Sequence, residues 1–159
     1  MVVYKKFKSK PDLTEAHKQA RLTFAKKSIE NRVDWSKIIW SDEKKFNQDG
    51  IRYYWHDLRH EPKYLSRRNY GGGTLMIWGA FVGNQIFDLV VVETTMNSAK
   101  YKEMLDKSLR PFFKRGWTFM QDGATIHQSR ETREWLKTNK IPVLEWPAYS
   151  PDLNPLENL

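Results

Sequence analysis

The chain has 159 residues, of which 40% are hydrophobic and 14% aromatic, which is enough apolar material for one folded domain and too much for a disordered chain. Its formal net charge of +8 is typical of a protein with a polyanionic partner such as nucleic acid, although many basic domains bind none. The absence of cysteine excludes disulfides and thiolate zinc sites, and no apolar run is long enough to span a membrane.

The N-terminal segment is basic and precedes the first predicted helix. We interpret residues 1–12 as a basic, extended linker and residues 13–159 as the folded domain. Thr14 or Asp12 can cap a helix that runs to about Glu30, because a side-chain oxygen at the cap accepts a hydrogen bond from a free amide of the first turn.

This predicted helix combines a narrow apolar stripe with a basic remainder. The stripe is formed by residues at helical spacing, Ala16, Ala20 and Phe24, with Ala25 and Ile29 beside them. Four basic residues cover the rest of the surface: Lys18, Arg21, Lys26 and Lys27. We favour a solvated face on a packing helix as the explanation, with a DNA-contact face as the alternative.

The next part of the chain is predicted to form antiparallel strands. The first runs from Lys37 to Phe46 and is buried around the apolar residues 38–40. Residues 47–50 form a hairpin turn because Asp-Gly supplies positions with φ > 0, and residues 51–56 form the partner strand.

A charged connection and a glycine run separate this hairpin from two further strands. Residues 57–70 carry five basic or histidine side chains: Arg59, His60, Lys63, Arg67 and Arg68. After three glycines, residues 74–81 form a third strand and residues 85–93 a fourth, antiparallel to it through a turn at 82–84.

A helix follows these strands. Ser98 can cap it, and Pro111 marks its end or a kink, because proline has no amide hydrogen to donate inside a helix. Its core-facing residues recur at helical spacing: Tyr101, Met104, Leu105 and Leu109.

The last third of the chain alternates strand and helix. Residues 117–121 form a strand, Ser129 caps a helix that ends at Asn139, and residues 141–145 form a last strand. Two residues of that helix face the core: Trp135 and Leu136. Antiparallel strands followed by helix-separated strands indicate an α/β protein with a mixed sheet, in which the strand 117–121 lies parallel to a neighbour.

Three carboxylates stand where a phosphoryl-transfer site needs them. Asp42 and Asp122 each end an apolar strand, and the carboxyl ends of parallel strands meet at one edge of a sheet. Glu157 follows a proline-stiffened loop, with 34 residues between it and Asp122. Neighbouring carboxylates repel each other unless cations intervene, and Mg²⁺ suits an oxygen-only site that handles phosphates. Two such ions, about 3.5–4 Å apart, can activate an attacking oxygen and stabilise a leaving one.

Each carboxylate also has a structural interpretation. Asp42 can be a solubilising charge at a strand end, and Asp122, which precedes Gly123, can be a turn residue. Glu157 can close a capping box that begins at Asn154 and satisfy the Asn154 amide. Taken singly, each carboxylate is more often structural than catalytic, so the pattern alone leaves both interpretations open.

Three longer motifs surround these carboxylates and carry a resemblance to a known family. They are Trp-Ser-Asp-Glu-Lys-Lys-Phe at 40–46, Met-Gln-Asp-Gly-Ala-Thr-Ile-His at 120–127 and Trp-Pro-Ala-Tyr-Ser-Pro-Asp-Leu-Asn-Pro-Leu-Glu-Asn at 146–158. From about Lys10 onwards the chain resembles the catalytic (Asp-Asp-Glu) domain of mariner-superfamily DNA transposases, in the branch with 34 residues between the second Asp and the Glu. The third motif is long and specific.

The resemblance implies a ribonuclease-H-like fold, with a mixed five-stranded sheet flanked by helices. It also implies that Asp42, Asp122 and Glu157 are the catalytic and metal-binding residues and hold two Mg²⁺ or Mn²⁺ ions. Asp152 is an alternative acid, but it lies within the loop motif rather than at the family's Glu position. His127 has either a positioning role or a packing role.

The implied reaction is cut-and-paste transposition, in which transposon ends are nicked and the freed 3′ hydroxyl is joined to target DNA, commonly at TA. The implied partners are double-stranded DNA and, in a full-length protein, a second copy of the chain; the implied location is the nucleus. The candidate DNA-contacting residues are Arg59, Lys63, Arg67, Arg68 and His127.

The sequence also departs from the family pattern. Gly123 stands where family members usually have Asn, and the chain stops two residues after Glu157. We therefore expect a catalytic domain that is truncated at its C-terminus, lacks the family's N-terminal DNA-recognition domains and by itself nicks DNA weakly. Two other functions stay open: a catalytically inactive, domesticated DNA-binding remnant, and a ribonuclease-H-type nuclease, which shares the site but not the third motif.

Overall fold

The computed structural model describes residues 13–47, 74–92 and 96–158. The predicted linker 1–12, the hairpin with its strand 51–56, and the charged connection lie outside these residues. So do four of the candidate DNA contacts: Arg59, Lys63, Arg67 and Arg68.

The first helix, α1 (Glu15–Glu30), begins as predicted at Thr14. The Thr14 hydroxyl accepts from the His17 amide at 3.3 Å, and the His17 ring accepts in return from the Thr14 amide at 3.4 Å. This reciprocal pair satisfies two amides that have no partner within the helix. None of the described helices is both long and apolar enough to cross a membrane.

The inward face of α1 is not the predicted alanine stripe. The least exposed residues follow one another at helical spacing: His17, Arg21, Phe24 and Ser28. Ala16, Ala20 and Ala25 are exposed, and Ile29 is 78% exposed, so of the predicted stripe only Phe24 is correct. The reason is that α1 packs through aromatic and polar contacts, for example Phe24 against Trp146 at 5.4 Å between ring centroids.

A five-stranded sheet forms the centre of the domain. β1 (Ile38–Asn47) pairs antiparallel with β2 (Thr74–Val82) and parallel with the short strand β5 (Thr118–Phe119). β3 (Gln85–Ile86) and β4 (Val90–Val92) both pair antiparallel with β2. The predicted mixed sheet is confirmed. The predicted parallel placement of the strand near 117–121 is also confirmed, since β5 pairs parallel with β1.

The predicted fourth strand, 85–93, is interrupted by a bulge between β3 and β4. Phe81 pairs with Ile86, but Trp78 pairs with Val90, so one extra residue is accommodated between these two pairs. The bulge lies opposite Gly79, where a Cβ atom would come within 3.0 Å of Leu89 Cδ2. The absence of a side chain at Gly79 therefore lets Leu89 lie against β2.

The predicted last strand, 141–145, is reduced to a single parallel bridge between Phe119 and Val143. The Phe119 amide donates to the Pro142 carbonyl and the Leu144 amide donates to the Phe119 carbonyl, each at 2.8 Å. Pro142 has no amide hydrogen to donate, which explains why the strand pairing does not extend to the N-terminal side of Val143.

Two helices cover one side of the sheet. α2 (Ser98–Ser108) is capped by Asn97, one residue before the predicted Ser98, because the Asn97 side chain accepts from the Lys100 amide at 2.9 Å. α3 (Arg130–Thr138) is capped by Ser129 and ends at Asn139, as predicted.

Buried residues form one core on each side of the sheet. The larger core lies under α2 and α3 and includes Trp78, Tyr101, Leu105, Phe119 and Leu136. The smaller core contains Ile38, Trp40 and Met120, with Trp146 and Leu156 packed against it. Because alternate residues of a strand face opposite sides, neighbours such as Ile38 and Ile39 belong to different cores.

Candidate active site

Asp42 and Asp122 lie at the edge toward which the paired parallel strands β1 and β5 run. Ile38 pairs with Thr118 and Ile39 with Phe119, so paired residues differ by 80 in number, as Asp42 and Asp122 do. Neighbouring strands are about 4.8 Å apart, which places both aspartates at the same edge. The Ser41 hydroxyl donates to the Met120 carbonyl at 2.7 Å and ties the two strands together just before the aspartates.

One detail of the prediction is wrong for Asp42. The residue does not end its strand, because β1 continues to Asn47 and pairs Asp42 with Gly79 of β2. It is the parallel pairing with β5 that stops before Asp42. Asp42 therefore belongs to a paired strand on one side, while Asp122 lies in the loop beyond β5.

A buried asparagine attaches the loop that carries Glu157. Asn154 is 4% exposed; its Nδ2 donates to the Ser41 carbonyl at 3.1 Å and its Oδ1 accepts from the Leu156 amide at 3.1 Å. Leu156 packs against the smaller core. Glu157 itself is exposed, in the 3₁₀ turn Pro155–Asn158. The loop is thus bonded to β1 at the residue before Asp42.

Asn154 caps this turn, but the predicted capping box does not form. The Asn154 amide donates to the Pro151 carbonyl at 3.0 Å, so it does not need the Glu157 side chain. Glu157 is therefore free of the structural role that was its main alternative.

A second attachment ties the same loop to α1. The Arg21 guanidinium donates to both carboxylate oxygens of Asp152, at 2.8 and 2.6 Å, and to the Tyr149 carbonyl at 3.3 Å. The hydrogen bond from Arg21 lowers the pKa of Asp152. Asp152, the alternative acid of the sequence analysis, is thus paired with α1.

The pKa of Asp42 is raised by burial and by the carboxylates near it. Burial raises its pKa, and the charge of Glu157 adds to this, followed by Glu43 and Asp122, so that the pKa of Asp42 reaches about 6. The Glu43 amide, which donates to Asp42 Oδ1 at 2.9 Å, offsets only part of the effect. Such mutual repulsion is relieved by a bound cation.

Asp122 is held by a buried histidine. His127 is 3% exposed, and its Nδ1 lies 2.6 Å from Asp122 Oδ1, which also accepts from the Ala124 amide at 2.9 Å. The hydrogen bond with His127 is the main reason that the pKa of Asp122 is lowered. His127 therefore contacts a candidate ligand directly, as a positioning residue does.

The same histidine reaches a second acid on β1. His127 Nε2 lies 3.4 Å from Glu43 Oε1, an ion-pair distance without the alignment of a hydrogen bond. Burial lowers the pKa of His127, but the contacts with Asp122 and Glu43 outweigh burial and raise the pKa to about 9. His127 is thus a cation between two carboxylates.

Sequence reasoning missed part of this network. Glu43 lies next to Asp42 but faces the opposite side of β1, where it reaches His127. Tyr101, predicted only as a core residue, packs against His127 with the rings tilted by 33° and 4.4 Å between centroids, and its hydroxyl donates to Gln121 Oε1 at 2.9 Å. Strand alternation after Asp42 was the one available signal for Glu43.

The donor set fits a hard divalent cation better than zinc. The candidate ligands Asp42, Asp122 and Glu157 offer only carboxylate oxygens, which Mg²⁺ and Mn²⁺ prefer. In the part of the chain that the structure describes, no three acidic or histidine side chains converge on one point. The observed arrangement is therefore a set of interacting carboxylates, with Asp122 turned to His127.

Comparisons with known proteins agree with this geometry. A family model described as "DDE superfamily endonuclease" matches residues 37–159. The chain is 48% identical over 166 residues to the transposable element Tc3 transposase of Caenorhabditis elegans, with 100% of the chain and 50% of that protein covered. The chain thus spans about half the length of this curated relative.

Solved structures share the fold. The Mos1 strand transfer complex superposes with a TM-score of 0.72 at 25% identity, over 98% of this chain and 49% of that one. The Mos1 transposase catalytic domain with raltegravir and Mg gives a TM-score of 0.67 at 21% identity, over 92% of this chain and 69% of that one. The predicted ribonuclease-H-like arrangement of a mixed sheet and helices is confirmed.

Proposed function

The chain belongs to the DDE superfamily endonucleases, and from that membership we propose that it is the catalytic domain of a mariner/Tc1-type DNA transposase. Its reaction is metal-dependent hydrolysis of DNA strands at transposon ends, followed by attack of the freed 3′ hydroxyl on a phosphodiester of target DNA at TA. That attack joins the transposon end to the target and releases a 3′ hydroxyl of the target strand. The active form is a dimer and acts in the nucleus.

One observation carries the proposal. Asp42 on β1 and Asp122 in the loop after β5 lie at the edge toward which these two parallel strands run, and burial together with the charges of Glu157 and Asp122 raises the pKa of Asp42. Asp42 therefore experiences the charges of two acidic residues that are remote from it in the sequence. A bound divalent cation relieves such repulsion, and perturbed carboxylates of this kind are typical of functional sites.

Each acidic residue has a distinct role in this proposal. Asp42 and Asp122 hold two Mg²⁺ or Mn²⁺ ions, and Glu157 completes the site from its loop. When bound, the ions activate the attacking oxygen and stabilise the leaving oxygen of the phosphodiester.

The surrounding residues keep the acids in place. Asn154 holds the Glu157 loop against β1, and Arg21 holds the same loop against α1 through Asp152. His127 keeps Asp122 ionised and orients its carboxylate. The geometry of the site thus depends on contacts from three separate segments.

Binding of Mn²⁺ to the full chain tests the proposal. We expect Asp42→Asn and Asp122→Asn each to weaken Mn²⁺ binding by at least about tenfold, since each removes a charged ligand. Asp106→Asn is the matched control, because Asp106 is an α2 residue paired with Arg110. Calorimetry with Mn²⁺ gives the dissociation constants.

The same samples are then incubated with supercoiled plasmid DNA and Mn²⁺. Nicking by the parent and by Asp106→Asn, but not by the two site variants, supports the proposed chemistry. A parent that binds no Mn²⁺ and nicks no DNA contradicts the proposal and favours the inactive, DNA-binding remnant. Faster cutting of an RNA–DNA hybrid than of duplex DNA favours the ribonuclease-H-type nuclease.

A further inference from the structure

A groove beside the candidate site has a basic wall that the proposed chemistry does not use. The groove has a volume of about 960 Å³ and lies between α3 and the segment 141–146. Three basic residues line it: Arg133, Lys137 and Lys140. They follow one another at intervals of four and three residues, which places them along one side of α3 and its C-terminal end.

These three side chains are available to a ligand. All are exposed, and none has an acidic partner among the described residues, whereas the neighbouring Arg130 is paired with Glu134 at 2.7 Å. Arg133 Nε donates to the Gln128 carbonyl at 2.7 Å. This bond orients the guanidinium and leaves its terminal amino groups free to bind an anion.

The rest of the lining makes the groove asymmetric. The wall opposite α3 includes Pro142, Val143 and Trp146. Glu145 is the one acidic residue among the described residues of the lining, and it lies 3.5 Å from Lys27. A basic wall facing a largely apolar one suits a strand whose phosphates lie on one side and whose sugars lie on the other.

The groove lining is linked to the candidate site through one buried glutamine, Gln121. Gln121 and Gln128 line one end of it. Gln121 immediately precedes Asp122, and its Nε2 donates to the carbonyl of His127, the residue that holds Asp122.

We propose that this groove binds the sugar-phosphate backbone of the DNA strand that continues away from the candidate active site. The inference rests on the proposed function. Arg133 and Lys137 lie one helical turn apart, roughly 6 Å at about 1.5 Å per residue, and Lys140 lies just beyond the end of α3. Three cations in a row along the groove can each meet a phosphate of one strand.

Salt-dependent binding of a short duplex DNA to the full chain tests the proposal. The variant replaces the groove residues together: Arg133→Ala, Lys137→Ala and Lys140→Ala. The matched control removes the same charge from positions that do not line the groove, in α2 and the segment after it: Lys107→Ala, Arg110→Ala and Lys114→Ala. Each phosphate contact contributes about 0.9 to the slope of log affinity against log salt. We expect the groove variant to lose about 2 to 3 units of slope and at least about tenfold more affinity than the control.

Crosslinking provides a measurement that leaves the basic residues intact. The chain has no cysteine, so Val143→Cys places a single thiol in the groove wall, and Ile86→Cys places one at a remote position that is 79% exposed. We expect DNA that carries a pyridyl disulfide to crosslink to Val143→Cys by disulfide exchange, with release of pyridinethione, and not to crosslink to Ile86→Cys.

The outcomes separate this inference from the proposed function. A parent that binds no duplex DNA contradicts the proposed function itself. Equal losses in the two triple variants, or equal crosslinking at both thiols, overturn the groove assignment and leave the proposed function standing. Displacement by poly-glutamate as efficient as displacement by unlabelled DNA also overturns it, because the surface is then a general site for acidic polymers.

Discussion

His127 Nδ1 and Asp122 Oδ1 lie 2.6 Å apart, so one of the two aspartates at the sheet edge is held by a buried side chain of its own loop. The other, Asp42, has no such cation among the described residues and instead experiences the charges of Glu157 and Glu43. The two aspartates therefore differ in how they respond to pH and to substitution.

The Asp122–His127 pair makes stability depend on pH. The pKa of His127 is raised from 6.5 to about 9, so its stabilising contribution is complete below pH 6.5 and is lost as the pH rises through 9. The pKa of Asp122 is lowered from 3.8, so its contribution is complete above pH 3.8 and is lost as the pH falls through the lowered value. We expect His127→Gln to cost most between pH 3.8 and 6.5, and the cost to shrink by on the order of 2 kcal/mol above pH 9. Urea unfolding in the presence of EDTA measures the loss in free energy of unfolding at each pH. A loss that does not vary with pH contradicts the ion pair.

Asp42 behaves in the opposite way. Its pKa is raised from 3.8 to about 6, so its ionisation destabilises the fold progressively as the pH rises from 3.8 through 6. We therefore expect Asp42→Asn to stabilise the metal-free chain at pH 8 by on the order of 1 kcal/mol, and by less at pH 5. Thermal and urea unfolding with EDTA check this, with Asp106→Asn as the control. A destabilised Asp42→Asn chain at pH 8 is the contrary result.

We expect a bound divalent metal ion to make the parent chain more stable than Asp42→Asn, which is the reverse of the order expected without metal. A ligand that binds only the folded state raises the unfolding temperature in proportion to the logarithm of its concentration. We expect millimolar Mn²⁺ to raise the unfolding temperature of the parent by several degrees and that of Asp42→Asn little. Scanning fluorimetry with increasing Mn²⁺ measures the shift; Ca²⁺ or Mg²⁺ in place of Mn²⁺ shows which ion fits. Equal shifts in both chains argue against Asp42 as a ligand.

Asn154 is expected to affect both stability and metal binding. Asn154→Ala leaves the buried Ser41 carbonyl without this donor, which costs about 1–3 kcal/mol. It also frees the Glu157 loop, so that Mn²⁺ binding weakens. Asn97→Ala is the control, since it removes the cap of α2 at a cost of about 1 kcal/mol without touching that loop. If Asn154→Ala and Asn97→Ala bind Mn²⁺ equally well, Asn154 is only a packing residue.

The Arg21–Asp152 pair is suited to a double-mutant cycle. Arg21 is 20% and Asp152 60% exposed, so solvent screens part of the attraction, but the contact is bidentate. We expect a coupling free energy of roughly 0.5–1 kcal/mol between Arg21→Ala and Asp152→Ala. Urea unfolding of the four chains measures it. Additive effects of the two substitutions mean that the pair does not hold the loop.

Sequence periodicity predicted the parts of the fold that depend on apolar burial. Tyr101, Leu105 and Leu136 are buried where helical spacing places them, and β1 carries Asp42 to the same edge as Asp122. The inward face of α1 was missed because its contacts are made by a histidine and an arginine, which periodicity analysis assigns to the surface. Periodicity also failed to predict the weak pairing at Pro142. The apolar pattern of 141–145 is typical of a strand, but the missing amide hydrogen of Pro142 prevents a longer ladder.

The candidate site was predictable only in outline. A carboxylate at the end of a strand is visible in a sequence, but its partner across space is not. His127 and Glu43 are 84 positions apart, and their contact at 3.4 Å depends on how β1 and the loop after β5 meet. The contact between the Asn154 side chain and the Ser41 carbonyl, which joins the Glu157 loop to β1, likewise links residues that are far apart in the sequence.

The bulge between β3 and β4 makes this edge of the sheet tolerant of a change in chain length. Removing Asp88 alone would close the bulge and leave Phe81 opposite Ile86 and Trp78 opposite Val90, as they are now. Losing a single residue at Val91 would instead turn Val92 from the interior to the solvent. A chain that lacks only residue 88 is therefore expected to keep Val92 in the core, whereas a chain that lacks only residue 91 is not.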